Sequence, residues 1–308
     1  MNLSQASKLT EDEARATFER IRWPNGTVCA HCGKSENITK FDGKAHRVGV
    51  YKCNDCGGQF TATVGTLLEQ SHLPIRTWLM AFALLCSSKK SLSALQLQRQ
   101  LGIGSYRSAW HMAHRIRHAM AQEPLSGLLA GTVEVDETYV GGKPRKGTGE
   151  HKRGRGTKKV PVMALVERGG RARAFKVEKV NAKTLKGAIR ENVDRASVIM
   201  TDEWQGYTGI GQEFEGGHQT VNHGQGEYQR DDASTNEVEA YFALLKRGIV
   251  GSFHHISKQH LNRYCDEFSF SWSNRKISDG ERTVRAIELS EGCRLKYREP
   301  LNKKNLNQ

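Results

Sequence analysis

The sequence predicts an α/β domain preceded by a small β-rich module and a helical module. Three observations carry that expectation. Cys29 and Cys32, then Cys53 and Cys56, form two CxxC pairs near the start. Residues 74 to 121 place apolar side chains at helical spacing. From about residue 130 short apolar runs alternate with amphipathic ones, the pattern of strands interleaved with helices.

The bulk numbers limit the partners. A chain of 308 residues is long enough for two or three domains and a sizeable core. Lys and Arg number 47 against 33 Asp and Glu, a formal charge of +14. Such a surface suits nucleic acid, or else an anionic membrane. No apolar run reaches the ~18 residues of a membrane span. The opening MNLSQASKLTEDEARATFER is polar and partly acidic, unlike a signal or transit peptide. A cytoplasmic protein is expected, and there two CxxC pairs read as metal ligands before disulfides.

Residues 9 to 22 fit a short helix with Ala14, Phe18 and Ile21 on one side. Each CxxC pair ends in glycine, at Gly33 and Gly57, where a tight turn lets backbone N–H groups face the sulfurs. Between them KAHRVGVYKC alternates like a strand. This is the plan of a zinc ribbon, with Cys29, Cys32, Cys53 and Cys56 as a tetrahedral structural Zn²⁺ site. Pro74 can open the next helix. SLSALQLQRQLGIGSYRSAWHMAHRIRHAM then reads as helix, turn at Leu101 to Gly104, and helix. In its second helix Ala109, Met112, Ala113, Ile116 and Met120 share one face. Arg107, His111, His114, Arg115 and His118 share the opposite one, as a recognition helix in a DNA major groove would need.

Strands are expected at TVEVDETYV, at KVPVMALVERGG and RARAFKVEKV joined through Gly169 and Gly170, at ASVIMTDEW and at HQTVNH. Helices are expected at NAKTLKGAIRENV, at STNEVEAYFALLKRGI with Ser234 or Thr235 as cap, and at SKQHLNRYCDEFSFSW. Gly141 to Lys159 holds eight Lys or Arg and a single Glu. It reads as a basic loop, and Lys152, Arg153 and Arg155 are its candidate phosphate contacts.

Two of these strands end on carboxylates, at Asp136 and Asp202. Burying an unpaired carboxylate costs several kcal/mol, so each should be exposed, paired or holding a cation. Glu239 follows on a helix. Hard Mg²⁺ or Mn²⁺ ions take such oxygen ligands, and a pair of them serves phosphodiester chemistry. On that helix Lys246 falls within about 20° of Glu239, while Asn236 lies about 60° round. Glu239 and Lys246 therefore suit metal and phosphate, with Asn236 a competitor for the third position. Trp204 and Tyr207 either stack on a base or pack the site. His254 and His255 are either phosphate contacts or structural histidines.

RWPNGTVCAHCG, VEVDETYVGGK, TDEWQGY, VNH and TNEVEAYFALLKRGIVGSFHHISKQHLNRYCDEFSFSWSNR together resemble the ISXO-like transposases of bacterial insertion sequences. The resemblance runs from about residue 12 to 276. It implies a ribonuclease-H-like mixed sheet with flanking helices and Asp-Asp-Glu-type chemistry, after a zinc ribbon. By motif position it implies Asp136 and Asp202 as first and second catalytic carboxylates, Glu239 as the third and Lys246 as the associated basic residue. Family members vary at the third position, which keeps Asn236 open. The expected divisions are a ribbon over 1–65, a helix-turn-helix region over 66–125, a catalytic domain over 126–280 and a charged tail over 281–308. The expected function is binding of the element's terminal repeats, then metal-dependent cleavage and strand transfer, with a homo-oligomer on element and target DNA. The alternatives are a non-catalytic DNA-binding regulator and a nuclease that cuts without joining.

Overall fold

The cysteine-bearing segment folds around its two turns. In a computed structural model, which describes residues 1–41, 46–121, 127–142, 157, 159–222, 229–230 and 233–296, Gly33 and Gly57 take φ of +75° and +72°. These left-handed values close the two knuckles without strain. Gly33 N–H donates to the Cys29 carbonyl at 3.0 Å, and Cys53 N–H to that of Gly58 at 3.0 Å. The strands β1 (Ile38–Phe41), β2 (Val50–Cys53) and β3 (Gln59–Thr61) form an antiparallel sheet in that order. Tyr51 stacks on Phe60, and the Trp23 ring meets Tyr51 edge-on at 5.5 Å.

The chain divides into two compact units. The first holds Met1–Ser87, Ala94–Ala119 and a third segment from Ser278, so the ribbon and the helical module share it. Its helices begin with α1 (Leu3–Lys8) and α2 (Glu11–Arg22), the latter opened by a Thr10–Glu13 capping box. The apolar α3 (Ile75–Ser87) buries Trp78, Leu79, Phe82 and Leu85. Its first N–H groups are capped from a distance. Glu11 accepts from Ile75 N at 2.7 Å and Arg76 N at 3.1 Å. α4 (Ala94–Leu101) and α5 (Tyr106–Ala119) flank the expected turn, where Gly102 has φ +63°.

The second unit holds Ser88–Ser93 and Met120–Ile277. Its strands are β4 (Thr132–Val140), β5 (Val160–Glu167), β6 (Ala172–Lys176), β7 (Val198–Asp202) and β8 (His218–Val221). They run in the order β6-β5-β4-β7-β8. The first three pair antiparallel, and β7 and β8 add in parallel to β4. This is the ribonuclease-H-like mixed sheet that the resemblance implies. The period of two along β4 sorts its side chains between two cores. Val133 and Val135 pack with Leu185 and Ile189 of α6 (Ala182–Asn192). Val140 packs with Val238, Tyr241 and Leu245 of α7 (Asn236–Gly248) and with Leu261 and Phe268 of α8 (Leu261–Ser273). Among the described residues no helix is long and apolar enough to cross a membrane.

The expected charged tail is corrected by α9 (Asp279–Glu288), which belongs to the first unit. Ser278 and Glu281 form its capping box, and it packs against α3. Arg282 donates to the Cys86 carbonyl at 2.8 Å, and Leu67 N–H to that of Ser290 at 3.0 Å. The charges hid a narrow apolar stripe. Ala286 and Ile287 are buried while their charged neighbours stay out. Ile287→Ala should therefore cost about 2–4 kcal/mol of stability, seen as a lower urea midpoint. A free tail would leave that midpoint unmoved.

Candidate active site and metal centre

The four cysteines converge. Their sulfurs all lie within 4.8 Å of one another. Cys29 and Cys56 Sγ are 3.7 Å apart, as are Cys32 and Cys53 Sγ. A tetrahedron with Zn–S bonds of about 2.3 Å has edges of about 3.8 Å. The donor set therefore fits Zn²⁺, and four thiolates leave no position for substrate.

The register of the second sheet aligns the two aspartates. β4 and β7 pair with Thr132 opposite Val198 and Glu134 opposite Met200. The pairing stops there, and the same offset carried two residues further along both strands would bring Asp136 level with Asp202. Both have the parity of Glu134 and Met200, so both face away from the α6 core. Asp136 Oδ1 accepts from Glu137 N at 2.7 Å, and Asp202 Oδ1 from Trp204 N at 3.1 Å. Glu239 lies in the first turn of α7, exposed, with Thr235 Oγ1 at 3.5 Å from its Oε1. Burial pushes the Asp136 carboxyl up to about 7, opposed by the Glu137 N–H and reinforced by the charges of Glu137, Asp202 and Glu239. Asp202 and Glu239 therefore both lie near enough to Asp136 for their charges to act on it. Among the described residues, however, only the four cysteines gather as tightly as 4.8 Å. Asn236 opens α7 and is exposed, as is Lys246, whose Nζ sits 5.8 Å from the Phe242 ring centroid.

One buried acid escaped the sequence reading. Glu134 sits two residues before Asp136 on β4 and has no exposed surface. Its Oε2 accepts from Glu237 N at 2.8 Å and Val238 N at 3.1 Å, at the start of α7. Its Oε1 accepts from Arg168 Nη2 at 3.1 Å and Ser234 Oγ at 3.4 Å. Thr235 holds the expected N-cap position but makes no side-chain capping bond there, and Ser234 joins the Glu134 network. A charged residue at an inward position of an alternating strand was the available signal. Tyr207 is buried and donates to Glu137 Oε2 at 2.8 Å, which favours packing over base stacking. Trp204 packs edge-on against it at 5.4 Å. His254 and His255 are exposed rather than buried structural residues, and His254 takes φ +57°.

The expected basic front of α5 is corrected. His114 and Arg115 are buried and His111 is half-buried, while Arg107 is exposed. Arg115 lies over the Trp78 ring at 5.3 Å and donates to the Glu69 carbonyl at 2.7 Å. A helical wheel groups residues by face but does not say what covers that face. What α5 leaves open is its first turn, where Tyr106 is 52% exposed beside Arg107. Lys152, Arg153 and Arg155 lie outside the described residues.

Comparison with known proteins agrees with this division. Residues 128–273 match the ISXO2-like transposase domain, and residues 9–59 the transposase zinc-ribbon domain. An uncharacterized protein in transposable element ISH50 of Halobacterium salinarum is 27% identical over 273 residues, covering 84% of this chain and 90% of that protein. The Mos1 strand transfer complex aligns with 68% of this chain and 73% of its own at 15% identity, with a TM-score of 0.29. The Mos1 transposase paired-end complex with left transposon end aligns with 68% of this chain and 74% of its own at 16% identity and the same TM-score of 0.29. At that score the fold rests on strand order, not on these likenesses.

Two outcomes follow from the geometry. Purified protein should carry a single zinc, released when its thiols are modified and absent in Cys53→Ser by elemental analysis. In metal-free protein, an unfolded aspartate titrates near 3.9 and folded Asp136 at about 7. Between those values the folded chain holds the extra proton, so stability falls as pH rises through the window. Asp136→Asn should flatten that slope and raise the melting temperature at pH 8. An unchanged melting profile would refute the burial of this carboxyl.

Proposed function

Because residues 128–273 match the ISXO2-like transposase domain and residues 9–59 the transposase zinc-ribbon domain, we propose that the chain cuts and joins DNA at the ends of its own insertion sequence. The observation that carries this reading is the proximity of Asp202 and Glu239 to Asp136, whose carboxyl both charges push up, on the adjacent parallel strands β4 and β7 and on α7 in the span matched by the transposase domain. An oxygen-donor carboxyl with two further carboxylates acting on it suits a hard divalent cation. Asp136, Asp202 and Glu239 would hold Mg²⁺ or Mn²⁺. Such ions, when bound, activate water and offset charge at the scissile phosphate.

The chain's own groups do the rest. The raised pKa of Asp136 lets the metal-free site keep a proton at one carboxyl, which relieves like-charge repulsion until a cation displaces it. Lys246, exposed on the helix of Glu239, would face a phosphate oxygen and offset charge there. In the first reaction water replaces the 3′ oxygen at phosphorus, leaving a 3′-hydroxyl on the element and a 5′-phosphate on its flank. In the second that hydroxyl attacks a target phosphodiester, whose own 3′ oxygen leaves. No protein–DNA bond forms.

The charge of +14 supports DNA as the partner, with affinity falling steeply in salt. Recognition of the terminal repeats is assigned to the open first turn of α5, through Arg107 and Tyr106, rather than to His111, His114 and Arg115. Lys152, Arg153 and Arg155 would add phosphate contacts. Assembly as a multimer on paired ends completes the reading.

The test is cleavage and joining of DNA carrying the element's ends, with Mg²⁺. Wild type should give joined product. Asp136→Asn, Asp202→Asn and Glu239→Gln should each lose at least about a hundredfold, the upper range for groups merely supporting a metal site. Joining that survives Glu239→Gln but not Asn236→Ala would move the third role to Asn236. Cleavage without joining would leave a nuclease. Tight binding without cleavage under any divalent metal would leave a regulator.

A further inference from the structure

The Glu134 carboxylate bonds β4 directly to α7. Asp136 is one pleat along on β4, and Glu239 is one residue beyond Val238 on α7. The bonds from Glu237 N and Val238 N to Glu134 Oε2 therefore close a short loop of structure between two of the acids. A helix begins with N–H groups that lack partners and with a partial positive charge, and a carboxylate answers both. Thr235, at the N-cap position, makes no side-chain capping bond. The other oxygen is held by Arg168, whose Nε and Nη2 lie at 3.2 and 3.1 Å, and by Ser234. Arg168 is itself tied to β4, its N–H donating to the Thr132 carbonyl at 2.9 Å. A second clamp backs the first. Glu237 accepts from Gly169 N at 2.8 Å and Arg275 Nη2 at 3.2 Å.

We infer that Glu134 is a positioning residue, whose carboxylate sets the separation of Asp136 and Glu239 and so the affinity of the acids for a divalent cation. The inference rests on the proposed metal site. Glu134 is not itself a ligand. Both of its oxygens are engaged, by two helix N–H groups on one side and by arginine and serine on the other. Loss of this anchor frees the first turn of α7, the turn that bears Glu239, while the apolar contacts of Val238, Tyr241 and Leu245 still hold the rest of the helix.

The test is Mn²⁺ binding by the full-length, zinc-loaded protein without DNA, read by electron paramagnetic resonance of the free ion. Wild type should bind Mn²⁺ in a manner that Asp136→Asn abolishes. Glu134→Gln puts an amide NH₂ against donors on one side or the other, and should weaken that binding about 10–100-fold, the range for groups that orient ligands. The double variant Glu134→Gln with Arg168→Gln lets the amide oxygen at position 134 face the helix N–H groups. Its NH₂ then donates to the amide oxygen introduced at position 168. The double variant should recover most of the affinity despite removing both charges, a rescue that a merely stabilising ion pair would not give. Folding of each variant is checked by zinc content and thermal melting. Should the single variant fail to fold, the double variant still decides. A folded double variant as weak as Asp136→Asn overturns the inference, as does wild-type affinity in folded Glu134→Gln. Absence of Asp136-dependent binding in wild type overturns the metal site itself, and the inference with it.

Discussion

A fully buried carboxylate accepting from two helix N–H groups and an arginine holds the second unit's sheet to its helix. An uncompensated charge at that depth would cost several kcal/mol. Glu134 has donors on both oxygens, so the cost is met by charge-assisted hydrogen bonds. The first unit uses the same device, with Glu11 of α2 accepting from the first N–H groups of α3. In both cases the start of a helix is fixed by a side chain remote in sequence. Helix position then becomes a property of tertiary structure, and a helix can be held in register with a strand.

That register is where the site's chemistry originates. Along β4 the odd positions Val133 and Val135 feed the core over α6, while Glu134 and Asp136 take the opposite face. A slip of one residue would bury the aspartate among apolar side chains and expose the valines. The apolar residues thus enforce the placement of the acids. Asp136 and Asp202 each lie two residues past the last β4–β7 pair, Glu134 with Met200, so the parallel pairing of the strands brings them to the same end of the sheet and nothing local to either acid is required.

Much of this was legible in the sequence. The cysteine spacing, the strand ending on Asp202 and the amphipathic α7 were read correctly because each depends on local chemistry or on a short period, whereas β4 runs on past Asp136 to Val140, held there by its pairing with β5. The misreadings share a cause. His114 and Arg115 lay on a basic face by helical geometry, but Trp78 and the Glu69 carbonyl, distant in sequence, cover Arg115. Ser234 and Thr235 had the right composition for a cap, but the helix N–H groups bond instead to a residue one hundred positions before Ser234. The helix from Asp279 was masked by its charges, since only Thr283, Ala286 and Ile287 turn inward. Periodicity tells which residues travel together, and long-range packing tells what they meet.

The first unit is assembled from stretches that flank the second, closing only with α9. On the ribosome, at roughly 5–20 residues per second, the ribbon and α3 emerge long before their last partner. The intervening α/β unit is contiguous apart from Ser88–Ser93 and can fold first. The nascent chain therefore passes through a stage with its acids assembled and its cysteine-bearing unit unfinished, with part of α3's apolar surface uncovered. A message broken before Ser278 would yield a product arrested at that stage, a ready client for chaperones and proteases. The supply of finished protein is thus tied to intact translation through α9 by topology alone.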